Sequence, residues 1–530
     1  MTRCLAVTLF GLLACGEDVA PSDAAVGRDA GADPHVDASF DADFDAALAD
    51  AALADAALED AADGDGGPSR DDGVPPVACD VVTEDAAALA SAIDSAAAGD
   101  TICLVEGDWV DLELRVHGEG RADAPITVAA RTAGATFLTG TSGLRLGGSH
   151  LVVQGLVFRD GSTPGGHLID FRDGDVECTS CRVTNVAVLE LVDEGDTKWV
   201  SFRGTDNRLD HSAFVGKVND GALLVVWRPD ASPNRHRIDH NYFGERPDLG
   251  RNGGETMRIG DSSQHDSESL TVVEDNYFFR SDGEIEVVSN KSSGNVYRRN
   301  VFVESTRMLT LRHGRDCVVD ANVFLVGGVQ GGGVRVVDRG HRVTNNYVEG
   351  CRGTSNVRGG IVLMLAEADP AMNGYQQVED VLVAHNTIVD CEQSLVFGGG
   401  RATEAPRRVR LANNLVQTSE SFAIVREEEA LQASTIEANV IAGGSLGTTS
   451  EGFVRADAAM ERDEDGLMRP AVAGAVANAG VDLDVETDLH DDPRDATPDV
   501  GADELSGASR RRPNRRADVG TTYDFEALRR

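Results

Sequence analysis

From about Val77 onward the chain repeats one short phrase, in which β-branched or aromatic residues alternate with polar ones before an Asn and a polar or Gly-containing turn. It reads VVQGLVF, HRIDHNYF, VVEDNYFF, VYRRNVF, CVVDANVF, RVTNNYV, LVAHNTIV, RLANNLV and TIEANVI. In the eight later phrases the Asn is Asn241, Asn276, Asn300, Asn322, Asn346, Asn386, Asn414 and Asn439, with a shortest spacing of 22 to 24 residues. A period of two predicts strands, and no amphipathic helical pattern separates neighbouring phrases. A repeat this short cannot bury a core of its own, but stacked copies share one. The predicted fold is therefore all-β, a right-handed single-stranded parallel β-helix with one coil per repeat. The Asn side chains should stack inward at one corner, and the longer spacings should be loops that build a groove. A β-propeller would need longer repeats of four strands each.

The stretch from Asn252 to His313 concentrates candidate chemistry on this frame. Glu284 and Glu286 stand two apart in EIEVV, so both carboxylates leave one face of a strand. Arg258, Glu284 and Thr310 are spaced 26 and 26 residues apart, and Arg335 follows Arg312 by 23. These intervals predict one outer face carrying Arg258, the Glu pair, Arg312 and Arg335, with Met257, Ile259, Ile285, Val287, Leu309, Leu311, Val334 and Val336 pointing inward. Asn252, Glu255 and the Glu pair beside an isolated Lys291 and Arg312 suggest a hard-cation site next to proton-transfer groups.

Ahead of the repeats, Met1 to Cys15 has the layout of a secretory signal: Arg3, an apolar run from Leu5 to Leu13, and a Leu12-Leu13-Ala14-Cys15 ending. The run is too short to span a bilayer. Its ending resembles a bacterial lipobox, which would make Cys15 the lipid-bearing first residue of an exported protein tethered to a membrane. Residues 16–76 are Asp, Ala and Gly-rich, with 17 acidic side chains against Arg28 and Arg70. Such a segment buries too little apolar surface to offset the entropy of ordering, so a disordered linker is expected. The β-helix is then placed at 77–505, and 506–530, with its RRRPNRR run, as a basic disordered tail.

The formal net charge of −41 argues against nucleic acid as a partner, and no basic stripe with interleaved aromatic residues appears. A polyanion would have to be held by local cations against an unfavourable overall field. Export permits disulfides. Cys79 with Cys103 is a plausible bridge, and Cys178 with Cys181 reads as a local disulfide or as buried thiols rather than a redox or zinc motif.

Three stretches resemble the polysaccharide lyases of family 6, which include chondroitinase B and many alginate lyases. They are PITVAARTAGATFLTGTSGLRLGGSHLVVQGLVFRDG, NRLDHSAFVGK and the NGGETMRIG to LRHG region, within a resemblance covering roughly Cys79 to Glu504. It implies a parallel β-helix that binds Ca2+ beside a scissile uronate. Carried over by motif, Asn252, Glu284 and Glu286 would be calcium ligands, and Glu255 a ligand or a support to one. Lys291 would be the base and Arg312 the acid of a β-elimination. Arg258, Arg335 and Lys217 are candidate binders of flanking carboxylates, while His313 is either a substrate contact or a corner filler. The expected partner is an acidic polysaccharide, alginate ahead of dermatan sulfate, and the protein is expected to act as a monomer. A pectate lyase would share the chemistry but fits the motif order less well. A glycoside hydrolase would need carboxylates on both faces of the sugar, and a non-catalytic carbohydrate-binding protein would have little need of Lys291 with Arg312.

Overall fold

The computed structural model describes residues 73–530 apart from 472–473, 506, 508–510 and 530. The signal, Cys15 and nearly all of the predicted linker lie outside the described residues. Successive coils lay their strands into three sheets of fourteen strands each. Pairing within them is parallel apart from a short return of Arg172–Asp173 on Val176–Thr179, so the architecture is the parallel β-helix expected from the repeats.

Each predicted Asn sits at the corner between two of the sheets and is 0% or 1% exposed. Asn276, for example, donates from Nδ2 to Asn300 Oδ1 at 3.0 Å, Asn300 does the same to Asn322, and the pattern continues through Asn346, Asn386 and Asn414 to Asn439. The residue before each Asn takes a left-handed backbone, as at His240 (φ 54°), Asp275 (φ 59°) and Arg299 (φ 55°). That conformation is unfavourable for a residue with a Cβ. The amide ladder offsets the cost by satisfying backbone and side-chain groups at every sharp corner. Inside the coil Phe214, Phe243, Phe278, Phe302 and Phe324 stack with ring centroids 4.5 to 5.5 Å apart. Burying each ring is worth about 1.5 to 3 kcal/mol.

The amino-terminal end of this column is covered by the helix Ala86–Asp94. Asp85 caps it by accepting from the Ala88 N–H at 2.8 Å, and Leu89 and Ile93 face the core. The Cys79–Cys103 bridge lies in the same region, Cys178–Cys181 is also a disulfide, and a third, Cys351–Cys391, was not foreseen. Cys317 is a free buried thiol.

The carboxy-terminal tail differs from expectation, because its described residues run back along the outside of the coils. Gly520 N–H donates to His240 O at 2.8 Å and Thr522 N–H to Asn185 Oδ1 at 2.8 Å; Phe525 packs on Tyr242 with ring centroids 5.3 Å apart. In the described part of the basic run Arg511 pairs with Asp275, Arg512 with Asp518 and Arg516 with Glu526, so several of its charges are met within the chain.

Candidate active site

The sheet that carries the site contains, in order, the strands Lys198–Phe202, Leu224–Val226, Met257–Gly260, Glu286–Lys291, Met308–His313 and Val334–Val336. Its register corrects the spacing-based reading. Arg258 stands opposite Ser289, Ser289 opposite Thr310 and Thr310 opposite Arg335. Glu286 instead faces Met308, because the ladder is irregular between Glu286 and Val288. Val287 and Val288 are both buried in the core, which breaks the alternation and sets the Glu pair upstream of the Arg258 column. Glu284 lies in the bend just before the strand.

A second acidic position is delivered by backbone packing. A Cβ on Gly283 would lie 2.1 Å from Gly254 O, and one on Gly254 would lie 2.4 Å from Gly283 O. Only two glycines permit this approach, and the next residue along each chain is Glu255 or Glu284. Behind them the buried Arg246 donates from Nη2 to Gly221 O at 2.7 Å and to Asn219 O at 3.0 Å, while its Nη1 holds Glu255 O. Arg246 was missed at the sequence level. Nothing local marks it, since its task is to tie three loops together.

Glu255, Glu284 and Glu286 are thus gathered and buried, each offering an oxygen within 4.8 Å of the others. Oxygen ligands about 2.4 Å from one ion can lie at most about 4.8 Å apart, so the spacing fits a calcium-sized cation. Glu255 Oε2 and Glu284 Oε1 are buried without any hydrogen-bond partner, as expected of atoms that need an ion. Burial, reinforced by the Glu286 and Glu255 charges, pushes Glu284 well above the usual carboxylate range. Burial also acts on Glu286, but Arg335, Lys291 and Arg312 outweigh it and hold that carboxyl below its usual value. Asn252 is exposed in the preceding loop.

Lys291 ends the Glu286–Lys291 strand, opposite Gly260 on one side and His313 on the other. It forms no ion pair among the described residues. Arg312 is held in a specific pose by its neighbours: Nη1 lies 2.7 Å from His313 Nε2, Nη2 donates to Asn373 O at 3.2 Å, and the guanidinium sits 4.2 Å from the centre of the Tyr375 ring. Three of the candidate substrate contacts are buried with partners of their own. His313 is 1% exposed; burial, then Arg312, Lys291 and His265, push it down to about 2, so its ring is neutral, with Nε2 2.7 Å from Arg312 Nη1 and 3.1 Å from Gly374 O and Nδ1 3.1 Å from Ser262 Oγ. It packs against Arg312 and Gly374. Arg335 is buried and paired with Glu286. Lys217 is buried, with its ammonium donating to Asn219 Oδ1 at 2.7 Å and Asp220 O at 2.8 Å, so it braces a loop. Arg258 alone of that set remains partly open, 5.4 Å from the centre of the Trp227 ring.

With this geometry in place, the chain can be set beside known proteins. A family model described as chondroitinase B matches residues 83–484, and the chain belongs to that family, polysaccharide lyase family 6. Among solved structures it is similar to the family 6 alginate lyase AlyGC, with 35% identity and a TM-score of 0.74 over 83% of this chain. The match spans 58% of the length of that enzyme's chain. It is also similar to a mannuronic acid specific family 6 lyase from human gut microbiota, with 30% identity and a TM-score of 0.63, covering 71% of this chain and 91% of the other. A search of curated proteins gives no match.

Proposed function

We propose that this protein is an exported, calcium-dependent polysaccharide lyase that cleaves a uronate polymer, alginate foremost, by β-elimination. The observation that carries the reading is the buried Glu255, Glu284 and Glu286 triad, with partnerless oxygens on Glu255 and Glu284, whose Glu284 and Glu286 lie on the coil that also supplies Lys291. A calcium ion in that triad would grip the C6 carboxylate of the uronate and offset the charge that develops when the neighbouring C5 proton leaves. Lys291, in no ion pair among the described residues, takes the C5 proton as base. Arg312, locked by His313, Asn373 and Tyr375, faces the departing O4 and stabilises its charge; since a guanidinium rarely gives up a proton, the proton that completes the leaving group comes from water or from Lys291. Glu255 joins the ligand set, and Asn252 is kept as a ligand that a bound ion would draw in from its loop. Arg258 is the candidate grip on a neighbouring carboxylate.

Alginate is favoured over dermatan sulfate because the two similar solved enzymes above are an alginate lyase and a mannuronic acid specific lyase. The test is the ultraviolet absorbance of new unsaturated uronate ends when the protein meets alginate, dermatan sulfate and polygalacturonate separately, with calcium and with a chelator. A calcium-dependent rise on alginate is expected, and no rise on any of the three would overturn the reading. Export and a lipid tether at Cys15 form part of the same proposal, supported by the signal-like start of the chain. Recovery of the protein in the membrane fraction, lost in Cys15→Ser, is the expected outcome.

A further inference from the structure

The active-site sheet continues on the amino-terminal side of Lys291 into a cluster that the elimination chemistry does not use. Val226 stands opposite Ile259, and Gly260 opposite Lys291, so Trp227 projects from the same lateral position as Lys291, two strands away. Phe202 stands opposite Val226, which puts Arg203 next in that line. At a strand spacing of about 4.8 Å, Trp227 lies about 10 Å and Arg203 about 14 Å from Lys291 along the helix axis. Three cations surround the indole: Arg203 at 5.1 Å, Arg258 at 5.4 Å and Lys198 at 5.8 Å from the ring centre.

Two of these cations have local partners, Arg203 with Asp170 at 3.0 Å and Lys198 with Asp196 at 2.5 Å. Arg258 has no ion pair among the described residues, and both its Nε and Trp227 Nε1 are buried atoms without an acceptor. Leaving two donors unmet at one spot is costly unless something supplies acceptors. The protein as a whole is strongly acidic, so an excess of cations beside the acidic triad is not a general property of its surface. On the opposite side of Lys291 the sheet is walled off, since Asn373 and Gly374 close over Arg312 and His313.

We propose that Arg203, Trp227 and Arg258 form a second carboxylate-binding site, which holds a uronate further along the polymer than the one being cleaved. Arg258 and Trp227 Nε1 donate to that carboxylate, and Arg203 extends the grip toward the next sugar. For the identity of the polymer the inference rests on the lyase reading above, but its geometry does not depend on turnover.

The test uses the full chain carrying Lys291→Ala, saturated with calcium, and titrates dimers, tetramers and hexamers of alginate, with dermatan sulfate hexamers in parallel, while indole emission is recorded. The hexamer of one polymer should change the emission and bind about tenfold more tightly than its dimer. Trp227→Phe should remove the emission change, since Trp109 and Trp199 are buried. Arg258→Ala and Arg203→Ala should each weaken hexamer binding about tenfold, at an unchanged thermal midpoint, whereas Arg131→Ala, on a distant surface, should leave it alone. An emission change that survives Trp227→Phe, hexamer affinity indifferent to Arg203 and Arg258, or no hexamer binding at all would each overturn the site. A hexamer that binds through Trp227 yet is not cleaved by the unmutated protein would uphold the site and count against the lyase reading alone.

Discussion

At the scale of single residues, the site depends on placing three carboxylates where they would otherwise repel. Glu284 and Glu286 were visible in the sequence because alternation in EIEVV puts both on one side. Glu255 was visible only through its motif, since its approach to Glu284 depends on the contact between Gly254 and Gly283. The predicted roles of Lys217, Arg335 and His313 illustrate what a one-dimensional pattern lacks. An outward position on a strand says nothing of whether a neighbouring loop or carboxylate covers it, and all three are covered. Because Glu284 offers a buried oxygen with no other partner, Glu284→Gln should weaken calcium binding about tenfold or more through the loss of ligand charge, with little change in fold. Calorimetric titration of calcium into the variant checks this, and unchanged affinity would remove Glu284 from the ligand set.

At the scale of elements, the corner ladder and the arginine-carboxylate rows outside it hold successive coils in register. Asn300 donates to Val273 O and Asn322 Oδ1 and accepts from both the backbone and the side chain of Asn276. Asn300→Ala strands several of these buried groups and should cost about 3 kcal/mol, measurable as a lowered midpoint in urea. On the outer face Glu274 meets Arg237, Arg298 and Arg299. Burial works to raise its pKa, but these arginines, Arg298 foremost, bring it down to about 2 from the ordinary 4.5. A carboxyl with a lowered folded pKa contributes stability that is present above its unfolded value and lost as pH falls through the folded one. Thermal midpoints should therefore drop between about pH 4.5 and 2, and the drop should be shallower in Glu274→Gln. The ladder was legible because Asn recurs where a strand phrase ends. The register was not, because the irregularity at Val287 and Val288 adds a residue that no spacing count detects.

At the scale of the whole molecule, the repeat fixed the fold class and the length of the coil, while composition misled about its end. A run such as RRRPNRR looks solvated when its charge is counted alone; here Asp275, Asp518 and Glu526 neutralise part of it, and Val519 and Phe525 cover an outer apolar face formed by Val157, Ala213 and Tyr242. The same acidic chain sets Lys291, Arg258, Arg203 and Lys198 on one sheet face, where a polyuronate would lie. The account as a whole stands on Lys291 removing a proton beside the carboxylate triad. Its most direct test is the initial rate of unsaturated-end formation by Lys291→Ala at saturating calcium, with calcium affinity measured on the same sample. The rate should fall by at least about a hundredfold while calcium binding persists. A variant that keeps the rate of the unmutated protein would contradict the account.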